Sequence, residues 1–335
     1  MDFAPGFDLS NYRVIGGNFP TANVFVDDSL SSPTTREFTA GVGSQITRRA
    51  YAKALYTWRS VYNFVEDFTT IPDGQTTVTF EGRNFGTFDN VVLRNSDDPI
   101  RDYQALQLQG RYQLFSSLFV NGHWTVQLEN DGNFEGEGTN TPGISSAIGD
   151  YPEILIEERN FPSGRLDDFQ RHKVRLWTVY SLGLGRFGNV DLSGVYRYDS
   201  PTPFSFTAGA VPLSAAQRER NPGYARLPGS GSQTLFFGER GAGEFEGSQQ
   251  LDFALNYEIP VFRELRPWVK LVLSNAFNDQ PLTRFNTSVT ADRTGPVDAD
   301  GLATQFVRGP QFGKATSANS YPTARTFQMA FGVRF

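Results

Sequence analysis

Apolar and polar residues alternate over long stretches of this chain, and that alternation restricts the fold more than any other feature. From Thr326 to Phe335, the residues Phe327, Met329, Phe331, Val333 and Phe335 share one face; Thr326, Gln328, Ala330, Gly332 and Arg334 share the other. Side chains of an extended strand point alternately to opposite sides, so this strand is apolar on one side and polar or small on the other. Leu251, Phe253, Leu255, Tyr257 and Ile259 repeat the pattern against Asp252, Ala254, Asn256 and Glu258. Leu106–Leu114, Val120–Leu128 and Val190–Tyr198 do the same, with weaker versions over Phe38–Ile46, Ala52–Tyr62, Val174–Leu182 and Val269–Leu273. That makes about nine strands, most of them roughly ten residues long, the length a tilted strand needs to cross a bilayer.

The connections alternate as well. Short ones fall near Arg48–Ala50, Ser116–Ser117, Gly183–Asn189 and Pro260–Pro267; long ones fall near Val65–Ile100, Asp131–Asp168, Ser200–Gly247 and Asn278–Pro322. The long ones are rich in Gly, Pro, Asn, Asp and Ser, as in Asp131-Gly-Asn-Phe-Glu-Gly-Glu-Gly138. Short turns at one end and long loops at the other are the arrangement of bacterial outer-membrane β-barrels, with short periplasmic turns and long extracellular loops. A soluble sandwich or propeller also alternates, but its strands average ~5–6 residues and its loops are short at both ends. No blade-like repeat is visible either.

Composition agrees with this fold class. Hydrophobic residues make up only 39% of the 335 residues, and no window of ~18 uninterrupted apolar residues offers a transmembrane helix. Thirty Phe and 13 Tyr beside 33 Gly and 19 Pro suit aromatic strands joined by turn-rich loops. The chain has no Cys, which removes disulfides, thiolate metal sites and Cys nucleophiles together. Its net charge of −6 and lack of a Lys/Arg run offer no field for nucleic acid. Met1-Asp-Phe-Ala-Pro5 has neither a basic n-region nor an apolar h-region, so it is not a signal peptide.

Four stretches carry a family resemblance. Arg325-Thr-Phe-Gln-Met-Ala-Phe-Gly-Val-Arg-Phe335 looks like the closing strand of outer-membrane proteins, in which a terminal Phe and the alternating apolar residues before it are read by the barrel-assembly machinery. Trp268-Val-Lys-Leu-Val-Leu-Ser-Asn-Ala-Phe-Asn278 resembles the penultimate strand of TonB-dependent receptors and its turn into the last long loop. Pro33, Glu37 and Gly41 are similar to the P-x-x-x-E-x-x-x-G that opens one of their mid-barrel strands. The large loops and Arg171-His-Lys-Val-Arg-Leu-Trp177 resemble the Oar-like subgroup. The resemblance covers the whole chain and implies an outer-membrane transporter barrel of about 22 strands around a plug, driven through that plug by the TonB system. No plug-like domain or TonB box is present in the sequence. About nine strands leave the first and last running in the same direction, whereas a closed single-chain barrel normally has an even number. We therefore expect residues 1–33 to be the remnant of an extracellular loop, and residues 34–335 to be the C-terminal part of a transmembrane β-barrel.

Alternation also assigns faces. Lys53, Arg59, Gln107, Arg111, Gln127, Arg175, Arg197, Asn256, Glu258, Lys270 and Gln328 are expected to face the lumen, tuning its hydration and charge. Phe327, Met329, Phe331, Val333 and Phe335 form the assembly signal. Trp58, Tyr62, Trp124, Tyr180, Tyr196, Tyr198 and Tyr257 fall on apolar faces, suited to the membrane–water interface, where the ring is buried and the polar tip stays wet. Tyr51 and Trp177 fall on the opposite face, where they could stack a substrate or simply pack in the wall.

Fragments that imitate catalytic motifs have simpler explanations. Gly183-Leu-Gly-Arg-Phe-Gly188 matches G-x-G-x-x-G, but a strand follows it where a nucleotide fold needs a helix. Gly309-Pro-Gln-Phe-Gly-Lys-Ala-Thr316 approximates a Walker loop with one residue too few, Ala315 in the Ser/Thr place and no strand leading in. His123 and His172 lack the partners of a metal site. Asp298-Ala-Asp-Gly301 and Asn95-Ser-Asp-Asp98 lack the ligand spacing of a Ca²⁺ loop. No catalytic site and no cofactor is expected. Two other readings stay open: a non-transporting barrel or surface-interaction protein, and a soluble carbohydrate-active or carbohydrate-binding β protein.

Overall fold

The computed structural model describes residues 22–133, 159, 161–219, 225, 232–262 and 264–335. Long strands join one antiparallel sheet in chain order: β1 (Thr34–Thr47), β2 (Ala50–Tyr62), β3 (Arg101–Phe115), β4 (Leu118–Gly132), β5 (His172–Gly183), β6 (Asn189–Asp199), β7 (Ser248–Glu258), β8 (Arg266–Ser274) and β9 (Thr326–Arg334). The two-residue strand Gly164–Arg165 adds to the far end of β4. The alternating segments of the sequence fall on these strands. At 3.3–3.4 Å per residue, an eleven-residue strand tilted by ~45° rises about 25 Å, close to the apolar band of a bacterial barrel.

Register carries the alternation across the sheet. Phe38 lies opposite Trp58, Tyr56 opposite Leu106, Leu108 opposite Trp124, and Trp124 opposite Val174. Leu176 then faces Tyr196, Tyr196 faces Leu251, Leu255 faces Leu271, and Leu271 faces Met329. A slip of one residue at any pairing would turn a whole strand's apolar set to the other side. Register shifts interrupt the β1–β2 pairing at Gln45/Thr47 and the β3–β4 pairing at Gln104/Ala105 and Gln113/Phe115, towards the strand ends; between them one apolar surface runs from β1 to β9. It is uncovered: Val42 is 70% exposed, Phe253 48% and Phe331 78%. Soluble monomers rarely leave contiguous apolar patches beyond a few hundred Å² in water.

The sheet does not close into a barrel. β1 and β9 are not paired with each other, and among the described residues neither has a partner on its outer edge. Both run in the same direction, because an even number of antiparallel reversals separates them.

Three of the long connections, read from the sequence as polar loops, carry built structure among the described residues. Phe64–Phe68, Val91–Ser96 and Val24–Val26 make a three-stranded sheet, the last pairing in parallel, and Gln75–Phe80 forms a hairpin with Arg83–Asp89. In the third connection Thr207–Pro212 pairs with Ser232–Phe236, and in the fourth Val289–Ala291 pairs with Phe306–Arg308. Leu213, Leu235 and Leu302 are buried together there. Phe204 holds the rings of Phe206, Phe245 and Phe285 at centroid distances of 5.1, 4.9 and 5.3 Å. The buried core therefore sits in the loop crown, beyond the end of the sheet. Residues 1–21 of the segment expected to be a loop remnant, and the glycine-rich run 134–138, lie outside the described residues.

Candidate functional site

Across the polar face the strands set side chains in rows. Gly43, Lys53, Gln109, His123, Arg175 and Arg197 stand opposite one another on β1 through β6. The next row toward the short turns holds Gln45, Tyr51, Arg111, Asn121, Trp177 and Val195. Arg59 lies opposite Glu37, and Lys270 opposite Asn256, with Glu258 two residues further along β7. All seven charged residues assigned to one face from the sequence share this face.

Most of this charge is neutralised locally. The Arg59 guanidinium sits 2.6 Å from the Glu37 carboxylate, and Arg175 Nη2 donates to Asp199 Oδ1 at 2.7 Å. Arg197 pairs with Asp252. Near the short turns, Glu258 takes Arg334 at 3.0 Å and Arg266 at 3.5 Å. Such partly exposed pairs each contribute about 1 kcal/mol or less, so they set the potential of the face more than its stability. Among the described residues Lys53, Lys270 and Arg111 have no carboxylate within ion-pairing distance. Arg111 instead stacks over Phe119, 4.3 Å from the ring centroid.

Phe327, Met329, Phe331 and Val333 are placed by register on the apolar face of the edge strand β9, and Phe335 follows that strand at 96% exposure. His123 belongs to the polar row, whereas His172 lies on the apolar face, where Trp124 Nε1 donates to its Nδ1 at 3.3 Å. The nucleotide-like glycine run is the turn between β5 and β6. In the Walker-like segment, the amide of Gly309 donates to the carbonyl of Ser288, and Phe312 joins the aromatic cluster of the crown. Asp298 Oδ1 accepts from the backbone of Asp300 and Leu302 while Oδ2 holds Arg159, so its carboxylate organises its own loop.

Sequence reading finds no Lys/Arg cluster; the fold makes one. Arg48 and Arg49, in the β1–β2 turn, meet Arg111 of β3 at the short-turn end of the polar face, with Gln45, Tyr51 and Gln113 beside them. The adjacent Arg48-Arg49 is the only signal of it in the sequence, because Arg111 joins through pairing between strands.

No protein-family model and no curated protein matches this chain. Solved structures do. Over nine-tenths of its length the chain is similar to TonB-dependent outer-membrane transporters. The outer membrane transporter YddB from Escherichia coli aligns at 13% identity with a TM-score of 0.47, covering 91% of this chain and 33% of that one. The ferric-catecholate import receptor Fiu from E. coli K12 aligns at 12% identity and 0.40, covering 90% and 28%. The copper transporter OprC aligns at 11% and 0.37, covering 90% and 31%. The chain thus spans about a third of the length of the structures it matches.

Proposed function

We propose that this chain is part of the wall of an outer-membrane TonB-dependent transporter, with the apolar face toward lipid and the polar face toward a hydrated lumen. The observation that carries this reading is the uncovered apolar face that the central register of β1–β9 holds on one side of the sheet, with bulges only towards the ends of β1–β2 and β3–β4. In water that surface would drive aggregation; in a bilayer it is satisfied, and the inner strands pair on both sides as hydrocarbon demands, leaving only the outer edges of β1 and β9 to be completed. The loop crown then lies outside the cell and the short turns in the periplasm. The residues from Phe327 to Phe335 are the signal read by the barrel-assembly machinery. Two edges running the same way are completed by further strands, odd in number, so that both seams are antiparallel. Uptake belongs to the completed barrel with its plug and the TonB system; uptake by this chain alone would contradict the proposal.

The reading is tested by exporting the chain behind a signal peptide and fractionating the cells. We expect it in the outer membrane, resistant to carbonate extraction, with external protease cutting only within the four long connections. Recovery as a carbonate-extractable soluble protein would reject the wall.

A further inference from the structure

The basic patch at the short-turn end stands apart from the rest of the polar face. Arg48, Arg49 and Arg111 border a cleft of about 370 Å³, and a second of about 450 Å³ adjoins it. The two share Tyr51 and Arg111, and the second continues to His123, Arg175 and Trp177. Neither is lined by Asp or Glu. Among the described residues Arg48, Arg49 and Arg111 have no carboxylate in ion-pairing reach, although the chain as a whole carries −6. Elsewhere on this face Arg59, Arg175, Arg197 and Arg334 are matched to acids.

Two further features suit a ligand better than a bare polar wall. The Arg111 guanidinium carbon lies 4.3 Å from the Phe119 ring centroid, and among the described residues no acceptor engages its N–H groups. Tyr51 and Trp177 are 41% and 42% exposed on the face opposite the apolar surface, and both line the second cleft. They lie three strands apart in one row, roughly 14 Å, with Arg111 and Asn121 between them.

We infer that this double cleft binds organic anions. Carboxylate or phosphate oxygens are taken by the guanidiniums of Arg48, Arg49 and Arg111, which match such groups in charge and fork geometry. A planar or apolar body lies against Tyr51 or Trp177. The inference rests on the wall reading, since only a hydrated lumen brings solutes to this face. A small solute is favoured over an acidic polypeptide by the two limited clefts and the ring at each end.

The test uses protein extracted from outer membranes in detergent, with benzene-1,4-dicarboxylate as probe and Trp177 fluorescence as the signal. Saturable quenching is expected, weakened by salt, absent in Trp177→Phe and unchanged in Arg186→Gln, a basic turn residue outside the clefts. Combined Arg48→Gln, Arg49→Gln and Arg111→Gln should weaken binding about tenfold or more, as loss of charge-assisted hydrogen bonds implies. The Arg48→Gln, Arg49→Gln pair, confined to an exposed turn, serves if Arg111→Gln disturbs assembly, and should weaken binding in the same direction. Unchanged affinity in these variants, or equal binding of neutral benzyl alcohol, overturns the inference. So does binding of an acidic peptide without binding of the dicarboxylate, which assigns the patch to a polypeptide. Failure to bind by a protein that is in the membrane leaves the wall standing; failure to reach the membrane removes the wall itself.

Discussion

Gly188 closes the turn between β5 and β6 with φ 95°, and a Cβ there would run into the carbonyl of Glu258 on β7. Both the left-handed backbone and the close approach demand glycine. Gly188→Ala should therefore destabilise the membrane-inserted chain by about 2 kcal/mol or more, read as a lower urea midpoint. Asn275 and Asn278 answer a similar demand at the other end of the sheet, with φ of 50° and 54°. The Asn275 amide donates to the carbonyls of Asp279 and Thr323, and Asn278 Oδ1 accepts from the Arg325 amide, returning the chain into β9. This is the physical content of the Asn-Ala-Phe-Asn motif seen in the sequence. In the crown, burial pushes the Asp73 carboxyl up, but the Thr70 hydroxyl and amide and the Arg94 guanidinium outweigh it and hold it below its ordinary value. A depressed carboxylate stabilises fully above its unfolded pKa of about 4 and loses that contribution as pH falls through the lower folded value. Protease resistance of residues 63–100 should accordingly hold at neutral pH and decline below about pH 4, and Asp73→Asn should flatten that decline.

At the scale of the element, each long strand has two faces with different tolerances. Phe253 is on the apolar face near the middle of β7, and Ala254 on the polar face beside it. Phe253→Arg should cost about 2–4 kcal/mol and Ala254→Arg less than about 1, measured as unfolding free energy in bilayers; equal penalties would contradict the assignment of faces. The long strands were readable because period-2 alternation persists over many residues. Their neighbours in the crown were not. Pro203–Phe204 and Gly243–Glu244 are two-residue strands, and Val289–Ala291 has three, too few to show a period. The crown's buried cluster is likewise assembled from Leu213, Leu235 and Leu302, far apart in the chain. Facing of Arg111, Arg175 and Trp177 followed from alternation, but their convergence did not. Trp177 reaches the row of Arg111 only through Asn121, and that depends on two registers no single strand encodes.

Across the whole molecule, the sheet behaves as a tape whose two selvedges point the same way. Copies inserted through one assembly route share an orientation in the membrane, so any seam between them, β1 to β9, β1 to β1 or β9 to β9, would be parallel. Parallel seams form slightly less stable ladders, and here they would replace the antiparallel pairing used at every joint of the sheet. If the chain is the barrel wall proposed above, strand polarity alone discourages it from polymerising with itself and leaves both margins to strands that run the other way.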